Sequence, residues 1–457
     1  MNTANAATPI THTFASASVT LNAAELRVTT GLVTQTWRLL DHGLATISLR
    51  HHDSAREWID QTATPRCDWQ LIGVIDDHSS ADYGELHIAT VRDATDTDDH
   101  LVCELPVRYH QAGFELCWRL WLFPGAPGIR SQLTVRALRE MSHDETPTFL
   151  GPSHSARLAL APGLTAGRVA GYYNDTQHRN YAEFPIIREQ ALNPSQADTV
   201  DWASALQVQA DDSCLSLVKE SHKCVNQNGI DTGAFVFDPS SVRVTGLGIA
   251  GGYGHGPWPR RERARACWAC WTILSCGTLD DGRAAIKTFD QHRYPFRAKR
   301  DALIMANTWG SRGAGEGSRS AAEQDNVLRE IDSCADLGVD IIQIDDGWQC
   351  EPGADKPFSV DWTPNPTRFP DGWTTVREHA AQRKVALGLW QPWGVEVDSI
   401  VRNRAAGGFR RFKIDFISLG GPDDLERLCD KAAEIVARTG PECGINWDAT
   451  ENNVRMG

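Results

Sequence analysis

Near residue 295 the hydrophobic pattern changes period, and that change limits what this chain can fold into more than any other feature. Upstream, apolar residues alternate. In Phe114–Leu122 (FELCWRLWL) every even position is apolar, and over residues 129–136 the odd positions turn inward. A period of two marks half-buried antiparallel strands, because successive side chains leave opposite faces of the backbone. Similar runs lie at 26–40, 44–49, 68–74, 205–209 and 242–249, separated by turn residues such as FPGAPG at 123–128. Many strands and few helices over residues 1–290 predict a large antiparallel β-sandwich domain. Residues 291–300 (QHRYPFRAKR) read as a connector.

Residues 301–457 follow another grammar. Short apolar strands are expected at 303–306, 339–344, 385–389, 412–414 and 443–447. Between them lie helical patterns. Ser320-Ala321-Ala322-Glu323 has the form of a capping box, opening a helix whose stripe is Val327, Ile331, Cys334 and Ala335 and whose stop is Gly338. A weaker helix is expected at 376–384, and a short one carries Val397, Ile400 and Val401. Leu425, Leu428, Cys429, Ala432, Ile435 and Val436 make a further stripe closed by Gly440. Strands recurring between helices predict parallel βαβ units with right-handed crossovers.

Polar and aromatic residues gather where each of these strands ends. The first is followed by Asn307, Thr308 and Trp309, the second by Asp345-Asp346-Gly347-Trp348, and the third carries Trp390-Gln391-Pro392-Trp393. The fourth ends in Asp415 and the fifth in Asn446, Trp447 and Asp448. A (β/α)8 barrel builds its active site from residues at the C-terminal ends of its strands. Tryptophan beside aspartate is the chemistry of a sugar site: indole covers an apolar sugar face while carboxylates accept from hydroxyls. Lys413 and Asp415, two apart in a strand, point the same way; inside a barrel that charge pair is costly unless the two pair or hold a ligand. The blander readings remain open at this level. Asp345 or Asp346 would serve as loop caps, and Lys413–Asp415 as a structural ion pair. Sixteen tryptophans exceed what any site uses, so only Trp309, Trp348, Trp390 and Trp393, at strand ends, count toward one.

Composition closes off other classes. Lys+Arg 45 against Asp+Glu 59 gives a net charge of -14, which argues against nucleic acid or an anionic membrane surface as partner. No apolar run approaches the ~20 residues of a spanning helix. The N-terminus has neither the basic start nor the apolar core of a signal peptide. Twelve cysteines lie without framework spacing, as expected for reduced, buried thiols in a cytoplasmic protein. Cys267-Trp268-Ala269-Cys270 has zinc-like spacing with no answering pair, and Gly246–Gly251 fits a dinucleotide fingerprint with no helix after it. Neither metal nor cofactor is expected, and the sequon at Asn174-Asp175-Thr176 carries no weight without secretion.

Asn307-Thr308-Trp309-Gly310, Asp345-Asp346-Gly347-Trp348, Trp390-Gln391-Pro392-Trp393 and Lys413-Ile414-Asp415-Phe416 resemble the barrel motifs of α-galactosidases. The closest resemblance is to glycoside hydrolase family 36, the melibiases of clan D, whose large N-terminal sandwich (a supersandwich) precedes a TIM-type barrel. The specific motifs lie between 307 and 450. The resemblance implies that Asp415 is the nucleophile of a retaining glycosidase acting on terminal α-galactosides. It implies that Lys413 contacts ring hydroxyls, that Asp345 and Asp346 bind the galactose O4 and O6 hydroxyls, and that Trp309, Trp348 and Trp390 wall the pocket. It also implies a carbohydrate substrate, no cofactor and a homo-oligomer. Two departures stand out: Trp-Gln-Pro-Trp replaces a glutamate-containing segment, and the sequence reaches about five βα units, short of the sixth strand after which the family's acid/base lies. The expectation is therefore a truncated chain with little turnover of its own. A galactosyl transglycosidase of the same fold and a non-catalytic sugar-binding fragment are the alternatives.

Overall fold

The computed structural model describes residues 9–71, 74–92, 97–140, 153–173, 185–221, 232–246, 261–312, 316–350, 361–417, 422–440 and 442–447. The chain forms two compact units that meet in sequence between Pro295 and Phe296.

The first unit is built from antiparallel sheets. Five strands from Ile10–Phe14 to Gly43–His51 pair in chain order. An eleven-stranded sheet contains Phe114–Leu122 at its paired interior, and a four-stranded sheet joins His154–Ala159, Ser241–Thr245, Phe235–Asp238 and Asp198–Val200. One apolar cluster runs through all three, including Leu26 and Trp37, Leu116 and Leu133, and Phe237 and Val242. The alternation thus translates directly into core: Phe114, Leu116, Trp118, Leu120 and Leu122 are buried, as are Ile129, Leu133 and Val135 of the strand Gly128–Ala137.

Two runs depart from expectation. Residues 26–40 are a hairpin, Glu25–Thr29 and Val33–Leu40, rather than one strand. Gly31 takes a φ of 98°, a region that side chains with a Cβ avoid, and the Thr30 hydroxyl accepts from the N–H groups of Leu32 and Val33. Of the run expected at 68–74, the described residues form only the isolated bridges Gln70↔His154 and Leu71↔Ile75. The Ile75 N–H donates to the Leu71 carbonyl. The last expected run stops at Thr245, and 247–249 lie outside the described residues, as do most of the glycine-rich fingerprint and the sequon.

A helix, Leu279–Arg293, closes the unit. Thr278 and Asp281 form a reciprocal capping box, and Gly282, Ala285 and Phe289 are buried. Phe289 packs with Phe123 and Trp271. Residues 291–293 finish this helix instead of starting a connector. Cys267 and Cys270 are both core residues whose thiols burial pushes up to about 12.

The second unit is a parallel sheet: Met305–Asn307, Ile341–Ile344, Ala386–Pro392, Arg411–Asp415 and Gly444–Trp447, neighbours in sequence being neighbours in space. Helices Gln324–Leu337, Thr374–Arg383, Val397–Gly407 and Pro422–Thr439 connect them. That sequential order is the barrel's, not the doubly wound fold's, where strand order reverses. The first of these helices buries Val327, Ile331 and Cys334 and ends at Gly338 in the left-handed conformation, as its stripe requires. Its start differs. Ser320 belongs to a preceding short helix, Glu316–Ser320, and donates to the Gly317 carbonyl, while Glu323 sits at the N-cap with no side-chain cap bond. On the last helix Ile435 is buried but Cys429 and Val436 are exposed. Among the described residues no helix is long and apolar enough to cross a membrane.

Candidate active site at the strand ends

Strand alternation brings the charged residues together. Lys413 and Asp415 leave the fourth strand on one side, and the ammonium Nζ lies 3.1 Å from Asp415 Oδ2 and 3.6 Å from Asp345 Oδ2. One lysine thus bridges two carboxylates from different strands. All three side chains are largely buried, at 17%, 15% and 3% exposure for Lys413, Asp415 and Asp345. Desolvated charges are tolerated only when paired and hydrogen-bonded, and the surroundings supply those bonds.

Three donors converge on Asp415. Lys413 and the Trp390 indole N–H, at 2.8 Å, meet Oδ2, and the Phe416 backbone N–H, at 2.7 Å, meets Oδ1. Phe416 holds a φ of 56°. A non-glycine residue in that left-handed region costs about 1 kcal/mol or more, and here it turns the backbone N–H onto the carboxylate of the residue before it. Asp345 is more crowded. Its Oδ2 accepts from Asn307 Nδ2 at 2.8 Å and Gln343 Nε2 at 3.1 Å, and its Oδ1 accepts from the Asp346 N–H at 2.8 Å. The Thr308 hydroxyl accepts from the Asp345 N–H. Asp346 turns the other way, accepting from Arg319 Nε at 3.0 Å and Gln349 Nε2 at 2.8 Å. Burial pushes its carboxyl up, against the pull of Gln349 and Arg319. Asp345 adds repulsion to that rise, and each of the two adjacent acids is held by its own set of donors.

Gly347 makes the turn that separates them. Its φ is 120°, and a Cβ there would lie 2.3 Å from the Arg319 carbonyl oxygen. The backbone passes too close for any side chain.

The tryptophans divide into two groups. Trp309 is 44% exposed beyond the first strand and offers a free indole face. Trp348 and Trp390, also expected as pocket walls, are 0% and 1% exposed. Their rings belong to an aromatic core with Trp362 and Trp373. What they present to the site is polar edge: Trp348 Nε1 donates to the Trp390 carbonyl at 2.9 Å, and Trp390 Nε1 donates to Asp415. Trp393 lies half-buried under the Lys431 ammonium, 4.9 Å from its ring centroid. Gln391, in the Trp-Gln-Pro-Trp segment, is fully buried and reaches toward Ser399 Oγ at 3.5 Å rather than toward the carboxylates. Asp448 lies outside the described residues.

Sequence reading missed Gln343, Arg319 and Gln349. Gln343 had a signal, an amide inside the apolar run Ile341–Ile344, two residues before Asp345 and on its side. Arg319 had none, since it reaches Asp346 from a short helix without periodicity. Among the described residues no group of three or more His, Cys, Asp or Glu side chains could hold a metal ion.

A melibiase family model matches residues 292–405. The chain is 32% identical over 103 residues to the probable α-galactosidase G of Emericella nidulans, covering 20% of this chain and 13% of that protein. It is 22% identical over 174 residues to α-galactosidase AgaA of Geobacillus stearothermophilus, covering 35% and 22% respectively. The matched stretches thus span well under a third of these relatives. Among solved structures, an α-galactosidase from Lactobacillus brevis superposes with a TM-score of 0.60 at 13% identity, covering 93% of this chain and 70% of that one. A variant of AgaA in complex with raffinose gives 0.58 at 12%, covering 93% and 72%. The chain thus carries a melibiase-like segment at 292–405 and shares its fold with solved α-galactosidase structures.

Proposed function

We propose that the strand-end site is that of a retaining glycoside hydrolase acting on terminal α-galactosides. The observation that carries the reading is the Asp345–Lys413–Asp415 chain, with Asp415 oriented by the Trp390 indole. In this reading Asp415 attacks the anomeric carbon and the aglycone oxygen leaves, giving a glycosyl-enzyme. Water then attacks that carbon, and the Asp415 carboxylate departs. Lys413 counters the negative charge on Asp415 and hydrogen-bonds a ring hydroxyl. Asp345 and Asp346 accept from further sugar hydroxyls, and Trp309 covers an apolar sugar face.

Retaining enzymes also need a second carboxyl about 5–5.5 Å from the nucleophile to protonate the leaving oxygen. Asp345 and Asp346 are already engaged by amides, backbone and guanidinium, so this reading assigns the proton to a group outside the described residues. The test therefore uses a leaving group that needs no proton. A 2-deoxy-2-fluoro-galactosyl donor with a fluoride leaving group should add one sugar mass to the protein, on the peptide bearing Asp415, and Asp415→Asn should abolish the label. A label on another carboxylate, or none while substrate still turns over, would overturn the assignment.

A further inference from the structure

The first unit contains a second polar recess that the sugar-site reading leaves unused. A cavity of about 130 Å³ is lined by Arg38, Asp60, Arg66, Asp68 and Arg157, and an adjoining one of about 30 Å³ shares Asp68 and Arg157. A water occupies roughly 10–15 Å³ on such a measure, so the larger space admits a small solute.

Its charges are unevenly matched. Asp68, at the floor, is already satisfied: Oδ2 accepts from Trp37 Nε1 at 2.9 Å and from the Thr46 hydroxyl at 2.5 Å, and Oδ1 accepts from the Thr46 N–H at 2.9 Å. Asp60, at the rim, accepts from the hydroxyl and N–H of Thr62. Arg38 pairs with Glu25 at 3.6 Å. Arg157 and Arg66 are different: among the described residues neither guanidinium has a hydrogen bond or a carboxylate within 4 Å. Arg157 also stands directly opposite Arg243 across the antiparallel pair His154–Ala159 and Ser241–Thr245. Like charges so placed destabilise a sheet. Burial, with Arg66 and Arg243 adding repulsion, pulls the Arg157 guanidinium below its ordinary value, against the attraction of the more distant Asp68 and Asp77 carboxylates.

A half-buried and an exposed guanidinium beside a cavity, with Asp68 and Asp60 accepting from other donors, make a fork that has no hydrogen-bond acceptor among the described residues. Planar guanidinium groups recognise oxyanions bidentately. We propose that this cleft binds a small oxyanion group, either free inorganic phosphate or the carboxylate of a sugar acid, between Arg157 and Arg66. A bound oxyanion would also relieve the Arg157–Arg243 repulsion across the strand pair.

Calorimetric titration of the full chain tests this, with inorganic phosphate, with D-galacturonate and with D-galactose as the uncharged control. At least one of the two anions should bind saturably. Arg157→Gln should weaken that binding about tenfold or more, Arg66→Gln should weaken it severalfold, and Lys413→Met in the other unit should leave it unchanged. Binding of phosphate alone assigns the cleft to free anion. Binding of galacturonate alone assigns it to a sugar acid, and binding of both to the oxyanion group itself. Arg66 is exposed, so its variant carries the test if Arg157→Gln misfolds. No binding of either anion, binding unaltered by both arginine variants, or binding lost only in Lys413→Met would overturn the proposal.

Discussion

At the residue scale, the carboxylate on which the proposed chemistry rests is held by an indole. Trp390→Phe keeps most of the ring volume and removes only the N–H that meets Asp415 Oδ2. A hydrogen bond to a charged group is worth about 1.5–3 kcal/mol, so kcat should fall roughly 10- to 100-fold with KM little changed. Steady-state kinetics on an aryl α-galactoside, or labelling rates with the fluoride donor, read this out; an equal loss in KM alone would make Trp390 a binding residue instead. Lys413→Met leaves Asp345 and Asp415 without the cation between them, and should cost at least about a hundredfold in labelling rate. What could be read at this scale from sequence was the identity of the acids and the lysine, because strand parity alone puts Lys413 and Asp415 on one side. The orientation of the indoles could not be read. Trp348 and Trp390 sit at strand ends like Trp309, and only the packing of Trp362 and Trp373 shows that their faces are core and their edges site.

At the scale of elements, the turn after the second parallel strand is the most constrained. Gly347→Ala forces a Cβ against the Arg319 carbonyl and a side chain into a φ of 120°. The backbone term alone is about 1–3 kcal/mol, and relief of the clash must move either Asp346 or the helix Glu316–Ser320. Denaturant unfolding should show a loss of at least a few kcal/mol, and the Arg319–Asp346 pair should be disturbed with it. Periodicity made most elements legible here. The stripe Val327, Ile331, Cys334 and the stop at Gly338 follow from side-chain spacing and one glycine's freedom. The expected capping box failed because Ser320 had a nearer acceptor, the Gly317 carbonyl, within its own short helix. The run at 26–40 failed for a related reason: a glycine inside a strand-like pattern was a hairpin turn, and alternation on both sides hid it.

At the scale of the whole chain, stability should carry the signature of a buried acid. Burial pushes the Asp68 carboxyl up to about 7, against the three hydrogen bonds it accepts. The unfolded chain ionises this group near the ordinary carboxylate value, so with a raised folded value the contribution of Asp68 to stability is fully present below about pH 4. It is then lost as pH rises toward 7, on the order of 1 kcal/mol per pH unit. Asp68→Asn should flatten this part of the pH–stability profile; an unchanged profile would show that Asp68 is ionised in the fold. The two-part architecture was legible in the sequence because a change of hydrophobic period is a global property. Arg157 was not, since what makes it unusual is its place opposite Arg243 on strands far apart in the chain.

The chain Trp348 to Trp390 to Asp415 also means that the carboxylate proposed as nucleophile carries its own optical probe. Forming an ester with a sugar would erase the negative charge beside the Trp390 nitrogen, and an indole's absorption and emission respond to just such a change in local field. Ultraviolet difference spectra during labelling should therefore follow occupancy of Asp415 without any added dye, and the signal should vanish when residue 390 is phenylalanine.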